Sequence, residues 1–120
     1  MADNKRKEQV SRAYLEYIKA CSTLLSMIQA ELCLAKARYD EGELEVLNSR
    51  KEHYSQEIER AEGLIGFLDE SLADVLRRQY IEGQSQERIA EEKGYVVRTI
   101  QRFTKDGRAE LYEHLPVEFR

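Results

Sequence analysis

From Lys5 to Tyr39 the chain runs without a glycine or a proline. Apolar residues recur along this run at Val10, Tyr14, Tyr17, Cys21, Leu24, Ile28 and Ala35, with Leu32 and Tyr39 continuing the stripe. That near-heptad spacing is the signature of a long helix packed against another. Asp40-Glu41-Gly42 breaks the pattern and reads as a short turn. A second helix is expected from about Glu43 to Leu68, with the stripe Leu44, Leu47, Lys51, Tyr54, Ile58, Ala61, Ile65 and Leu68. Its steps alternate three and four, and only Lys51 is polar. Two long helices joined by a tight turn pack antiparallel. Such a hairpin buries little by itself, so the rest of the chain or a second subunit must cover its remaining apolar surface.

The other end of the chain reads differently. In Leu76 to Leu111 an apolar helix ends at Gly83, Ser85 opens a short helix, Gly94 breaks it, and a basic helix follows. Ser85 is a favoured N-cap residue, and the two glycines sit where helix ends need positive φ. Two short helices with a tight glycine-containing turn, the second of them basic, form the pattern of a helix-turn-helix. The expected fold is all-α: an antiparallel, coiled-coil-like helical hairpin over residues 1–68, then a helix-turn-helix module over residues 69–120.

The basic helix sorts its residues by angle. Side chains advance about 100° per residue. With Ile100 facing the core, Val96, Phe103 and Gly107 fall within about 60° of it. Arg98, Arg102 and Lys105 fall within about 40° of the opposite direction. Four cations and one acid, Asp106, lie between Val96 and Arg108, although the whole chain carries a net charge of −4. Overall acidity argues against a general nucleic-acid coating protein. It leaves room for one reading helix, because only charges within a Debye length of about 8 Å matter to it.

The stretch LRRQYIEGQSQERIAEEKGYVVRTIQRF resembles region 4 of bacterial sigma factors. It is similar above all to the phage regulators that share that module, the ArpU-like and RinA-like late-gene activators. The residues that carry the likeness are Arg77, Arg78 and Tyr80, then Ile81-Glu82-Gly83, Ile89-Ala90-Glu91, Gly94-Tyr95, Arg98-Thr99-Ile100 and Arg102. It covers the C-terminal third strongly and the helical N-terminal part only in style. The resemblance implies a promoter-proximal DNA target like a −35 element, with RNA polymerase as a further partner. The chain has no counterpart of the sigma region that melts DNA, which implies an accessory activator or repressor rather than a complete sigma factor.

One residue departs from that pattern, and a second is unusual inside any helix. The family has Ser or Thr where this chain has Val96, and a valine cannot cap the first turn, at a cost of about 1 kcal/mol. Gly107 costs about 1 kcal/mol inside a helix. It either allows close packing on the first helix of the module or ends the basic helix at Asp106.

Other chemistries find little footing. Cys21 and Cys33 lie twelve residues apart on one helix, about 18 Å along its axis, too far to bridge. Both read as reduced and mostly buried. His53 and His114 are remote from each other, and no CxxC or HxxxH spacing suggests a metal. No nucleophile has a histidine in a strand-turn-helix setting, and no glycine-rich loop cradles phosphate. Glu87, Glu91 and Glu92 occupy exposed helix faces. A non-enzyme without a cofactor is expected. No segment reads as the ~20 apolar residues of a membrane span. The start lacks an apolar run after its cations, unlike a signal peptide. The cytoplasm of a bacterial host is the expected setting.

The function expected is that of a sequence-specific, DNA-binding transcriptional regulator. Its helix from about Val97 enters the major groove of double-stranded DNA. Arg98 and Arg102, one turn apart, are placed for bidentate contacts to guanine. Thr99 and Gln101 flank them, at reach of a thymine methyl or an adenine edge. Lys105 meets phosphate and sets register, and Gln86 and Arg88 hold the backbone. A homodimer through the N-terminal helices is expected, since Tyr14, Leu15, Tyr17 and Ile18 make the first helix apolar on more than one face. The alternative is a helical interaction or assembly protein: an RNA polymerase-binding factor or a DNA-packaging subunit like the phage small terminases.

Overall fold

Helices α1 (Ala2–Arg38) and α2 (Glu41–Ile65) make up half of the chain in a computed structural model that describes residues 2–120. Three shorter helices follow: α3 (Glu70–Leu76), α4 (Gln86–Lys93) and α5 (Val97–Leu111). A π turn over Arg77–Ile81 prolongs α3, and two 3₁₀ turns, Tyr112–His114 and Val117–Phe119, follow α5. The described residues contain no strand.

The turn between the long helices is tighter than the expected Asp40-Glu41-Gly42. Tyr39 takes the left-handed conformation, with φ 54°. Asp40 then caps α2, its Oδ1 accepting from the Glu43 N–H at 3.0 Å. The cap satisfies an orphan donor, and Glu41 and Glu43 favour the positive end of the helix dipole. The helix therefore starts at Glu41 and absorbs Gly42. At its other end α2 stops at Ile65, where the Gly66 N–H bonds back to Glu62. Leu68 lies in the following turn yet stays buried.

The long helices run side by side in opposite directions. Tyr14 and Ile18 share a core with Ala61 and Ile65. About 24 Å away along the axes, Ile28, Leu32 and Ala35 meet Leu47. The buried stripe on α1 runs through Tyr14, Ile18, Cys21, Ile28, Leu32 and Ala35. Tyr17, Leu24 and Tyr39, expected in that stripe, are 43%, 39% and 89% exposed. The correction has a simple cause. Steps of three and four can be read in two registers one residue apart, and one residue turns the face by about 100°. Cys33 is likewise exposed, while Cys21 is buried as expected.

The main core crosses residue 68 without a break. Leu68, Ala73, Leu76, Tyr80, Leu111, Tyr112 and Leu115 close on Tyr14, Leu15, Ile18, Ala61 and Ile65. Each such large side chain stabilises the fold by about 1.5–3 kcal/mol when fully buried. Polar links seal the rim. Arg6 Nη1 donates to the Tyr112 hydroxyl at 2.9 Å, and Lys7 pairs with Glu113 at 2.8 Å. Beyond Ser22, whose hydroxyl donates to the Ile81 carbonyl at 2.9 Å, the core belongs to α1 and α2 alone. The molecule is 54 Å long, the length of α1 at about 1.5 Å per residue.

Helix α1 also corrects the reading of its hydropathy. It contains an 18-residue window of mean hydropathy 1.3, enough by length and composition to cross a membrane. Core helices share that property, and α1 spends Leu15, Ile18, Cys21, Ile28 and Leu32 on the protein's own interior.

Candidate nucleic-acid interface

Local rules place α4 and α5. Gly83, at φ 74°, turns the chain after the π turn. Ser85 then caps α4, its Oγ accepting from the Arg88 N–H at 3.1 Å. Gly94, also at φ 74°, ends α4, and the Tyr95 N–H returns to the Ala90 carbonyl at 2.9 Å. A residue with a Cβ strains in that conformation, so glycine at these two turns fixes the crossing of the helices. Helix α5 starts at Val97 behind Val96, which supplies no capping side chain.

The inward side of α5 is held on three levels. Ile100 joins Val75, Ile89 and Ala90 in a second small core, with Val97 and Phe103 packed against it. Thr104 is buried, its hydroxyl 3.0 Å from Gln79 Oε1 and 2.9 Å from the Ile100 carbonyl. Gly107 settles the alternative left by the sequence: the helix continues through it to Leu111. A Cβ there would stand 3.0 Å from Leu76 Cδ1, so the glycine lets α5 approach α3.

The outward side is cationic. Arg98, Gln101, Arg102 and Lys105 are exposed, and Thr99 is half-buried beside them. Together with Val96 they line one shallow concavity of about 470 Å³. Among the described residues, neither Arg98, Arg102 nor Lys105 forms an ion pair with a carboxylate. The Arg102 guanidinium lies 5.7 Å from the centre of the Phe103 ring. The fourth cation of the helix, Arg108, points the other way. It donates to the Tyr80 hydroxyl through Nε at 3.0 Å and pairs with Glu8 of α1 at 3.4 Å.

Gln86 and Arg88 do not join this concavity. Gln86 is half-buried, its Nε2 3.4 Å from Thr104 Oγ1. Arg88 pairs with Glu92 at 3.0 Å, with 66% of its side chain exposed. That pair belongs to a chain of charges between α3 and α4. Asp74 accepts from both Lys93 and Arg78, and Arg78 reaches Glu92 at 2.8 Å. Burial alone would raise the Asp74 carboxyl, but the hydrogen bonds from Lys93 and Arg78 together outweigh it and hold the group below its ordinary value.

One cation on this side escaped the sequence reading. Lys5, exposed on the first turns of α1, shares a hollow with Asn4, Glu8, Lys105, Asp106 and Ala109, two carboxylates among them. The run Lys5-Arg6-Lys7 was visible as a basic start, but no periodicity says which helix its end will touch. Arg6 and Lys7 are spent on Tyr112 and Glu113. Comparison of the chain with family models, curated proteins and solved structures found no match.

Proposed function

We propose that this protein is a sequence-specific DNA-binding transcriptional regulator, with α3, α4 and α5 acting as a helix-turn-helix and α5 entering the major groove. One observation carries the reading. Three cations leave α5 on the side opposite its buried residues, and none is answered by a carboxylate among the described residues. A solvated, unpaired guanidinium gives up less on meeting DNA than one that must first break an ion pair. Arg98 and Arg102 are assigned to guanine edges, Thr99 and Gln101 to flanking bases, and Lys105 to phosphate. Lys5 extends the phosphate contact beyond the end of α5. Arg88 reaches the backbone only at the expense of its bond to Glu92, and Gln86 supports α5 through Thr104.

The likeness to sigma region 4 points the same way, toward a promoter-proximal site, a phage or bacterial origin and action in the cytoplasm, with RNA polymerase within reach of a bound regulator. A second reading, an interaction or assembly protein, is favoured by the exposed Leu24, Met27 and Leu34 of α1. Selection of bound fragments from a random DNA pool by the full chain separates the two. A single enriched motif is expected. Recovery of a pool with the input's sequence distribution would contradict DNA reading and leave the assembly role.

A further inference from the structure

Helix α1 presents four sides, and the structure accounts for two of the apolar ones unequally. Glu8, Leu15 and Ser22 face the C-terminal helices: Glu8 pairs with Arg108, Ser22 bonds to Ile81, and Leu15 is wholly buried between them. Tyr14, Ile18, Cys21, Ile28, Leu32 and Ala35 face α2. Ala13, Tyr17, Ala20, Leu24, Met27, Glu31 and Leu34 form a second stripe in unbroken steps of four and three, and all seven are exposed. This stripe lies about 180° from Leu15 and Ser22, and about 100° from the stripe that α2 covers. A heptad repeat sustained over the 22 residues from Ala13 to Leu34 is the pattern of a helix that meets another helix.

The stripe has a hollow at one end and a projection at the other. Val10, Ala13, Tyr14, Tyr17 and Phe119 line an apolar groove of about 350 Å³. At the far end Leu34 stands 62% exposed, with Met27 at 56%. We infer that this face is a homodimer seam, in which α1 pairs with α1 of a second copy, antiparallel and crossing between Ala20 and Leu24, at the level of Ser22 on the opposite side of the helix. Residues equidistant from Ser22 then meet. Leu34 of each copy enters the groove at Val10 of the other, Met27 meets Tyr17, and Leu24 meets Ala20. One two-fold axis fills both grooves at once, as a closed isologous interface requires.

Charge selects the direction. Glu31 is the one ionised residue of the stripe. A parallel pair would set Glu31 against Glu31 within the seam, where like charges repel in a poorly solvated layer. The antiparallel pair sets it against Ala13, with room for water around the carboxylate. Size sets the strength. From Val10 to Leu34 the helix rises about 36 Å and presents a strip about 10 Å wide, a flat footprint of about 360 Å² per copy. Stable interfaces bury about 800 Å² per partner. A footprint this small makes the dimer weak, and it is strengthened when two copies bind one DNA. The C-terminal helices lie on the far side of α1, so the seam leaves α5 uncovered in both copies. It forms whether or not α5 reads DNA.

Two measurements on the full chain test it. Sedimentation from about 5 to 500 μM should show a monomer–dimer equilibrium. Leu34→Lys should weaken it about tenfold or more at an unchanged melting temperature, since Leu34 is exposed and its loss leaves the fold alone. For direction, cysteines are placed in a Cys33→Ser background. Oxidation of an Ala13→Cys and Glu31→Cys mixture should give a covalent heterodimer, and neither variant should cross-link alone. A chain that stays monomeric at 500 μM, or a Glu31→Cys variant that cross-links to itself, would overturn the seam. Flotation of the monomer with phosphatidylcholine vesicles would also overturn it, by assigning the face to lipid.

Discussion

Two charged surfaces lie a few residues apart in this protein and meet opposite fates. Between α3 and α4 three cations are answered, Lys93 and Arg78 by Asp74, Arg78 and Arg88 by Glu92, while Arg77, lining the same hollow as Asp74 and Lys93, has no ion pair among the described residues. On the outer side of α5 Arg98, Arg102 and Lys105 have no such partners among the described residues. The first surface works inward and fixes how two helices cross. The second is held in place by that crossing and remains available to an external anion. Counting basic residues would score the two regions alike. What separates them is whether a carboxylate is engaged: Asp106 lies one turn from Arg102 on α5, yet the two form no ion pair.

Removing the centre of the paired surface should have the largest effect on stability. Asp74→Ala takes an acceptor from two half-buried cations, Lys93 and Arg78, and should cost about 2–3 kcal/mol in urea unfolding. The same contrast has a pH signature. The Asp74 carboxyl sits below its ordinary value in the folded protein, so its contribution is fully present above the unfolded value of about 3.9. It is lost as the pH falls through the lower folded value. Between pH 5 and pH 2.5 the wild type should lose more stability than Asp74→Asn, and parallel loss in both would remove Asp74 from the account.

A smaller effect is expected on the inner side of α5. Gly107→Ala gains helix propensity, about 1 kcal/mol, yet its Cβ meets the fully buried Leu76 at 3.0 Å. Overpacking should win and leave the variant about 1 kcal/mol less stable. A stabilised Gly107→Ala would mean that α3 and α5 are less tightly apposed. Val96→Ser tests the entry to α5, the proposed reading helix. A hydroxyl in place of an uncapped, 68% exposed valine should raise stability by about 1 kcal/mol. No gain in thermal unfolding would show that the first turn is already satisfied by water. The smallest effect concerns phosphate contacts. Lys105→Ala and Lys5→Ala should each reduce the slope of log affinity against log salt by about one, with little change in which sequence is bound. An unchanged slope for Lys5→Ala would detach α1 from the interface.

The short C-terminal helices were more legible in the sequence than the long N-terminal ones. Ser85, Gly94 and Gly83 each carry a local conformational demand, and each marks a boundary within a residue or two of where the structure has it. The angular sorting of α5 was equally local, since Ile100 and Arg102 differ by two residues on one rigid helix; it failed at Val96, which precedes the helix in extended conformation and is exposed. The face of α1 was not legible in this way. Its apolar residues fill two stripes one residue apart, and only the position of α2 decides that Ile18 is buried and Tyr17 exposed. Pairing was invisible for the same reason. Arg88 and Arg98 look alike as letters, but Glu92 lies one turn from the first and no acid lies one turn from the second. Lys5 needed the tertiary fold outright, being a hundred residues away from Lys105.

The unpaired surface of α5 is the claim on which the functional account rests. Its most direct test is the affinity of Arg102→Ala, measured by fluorescence anisotropy against the duplex that the wild type selects. A loss of about 1–3 kcal/mol in binding, with the unfolding midpoint unchanged, is the expected result. An Arg102→Ala protein that binds that duplex as tightly as the wild type would contradict the assignment of α5 as the reading helix.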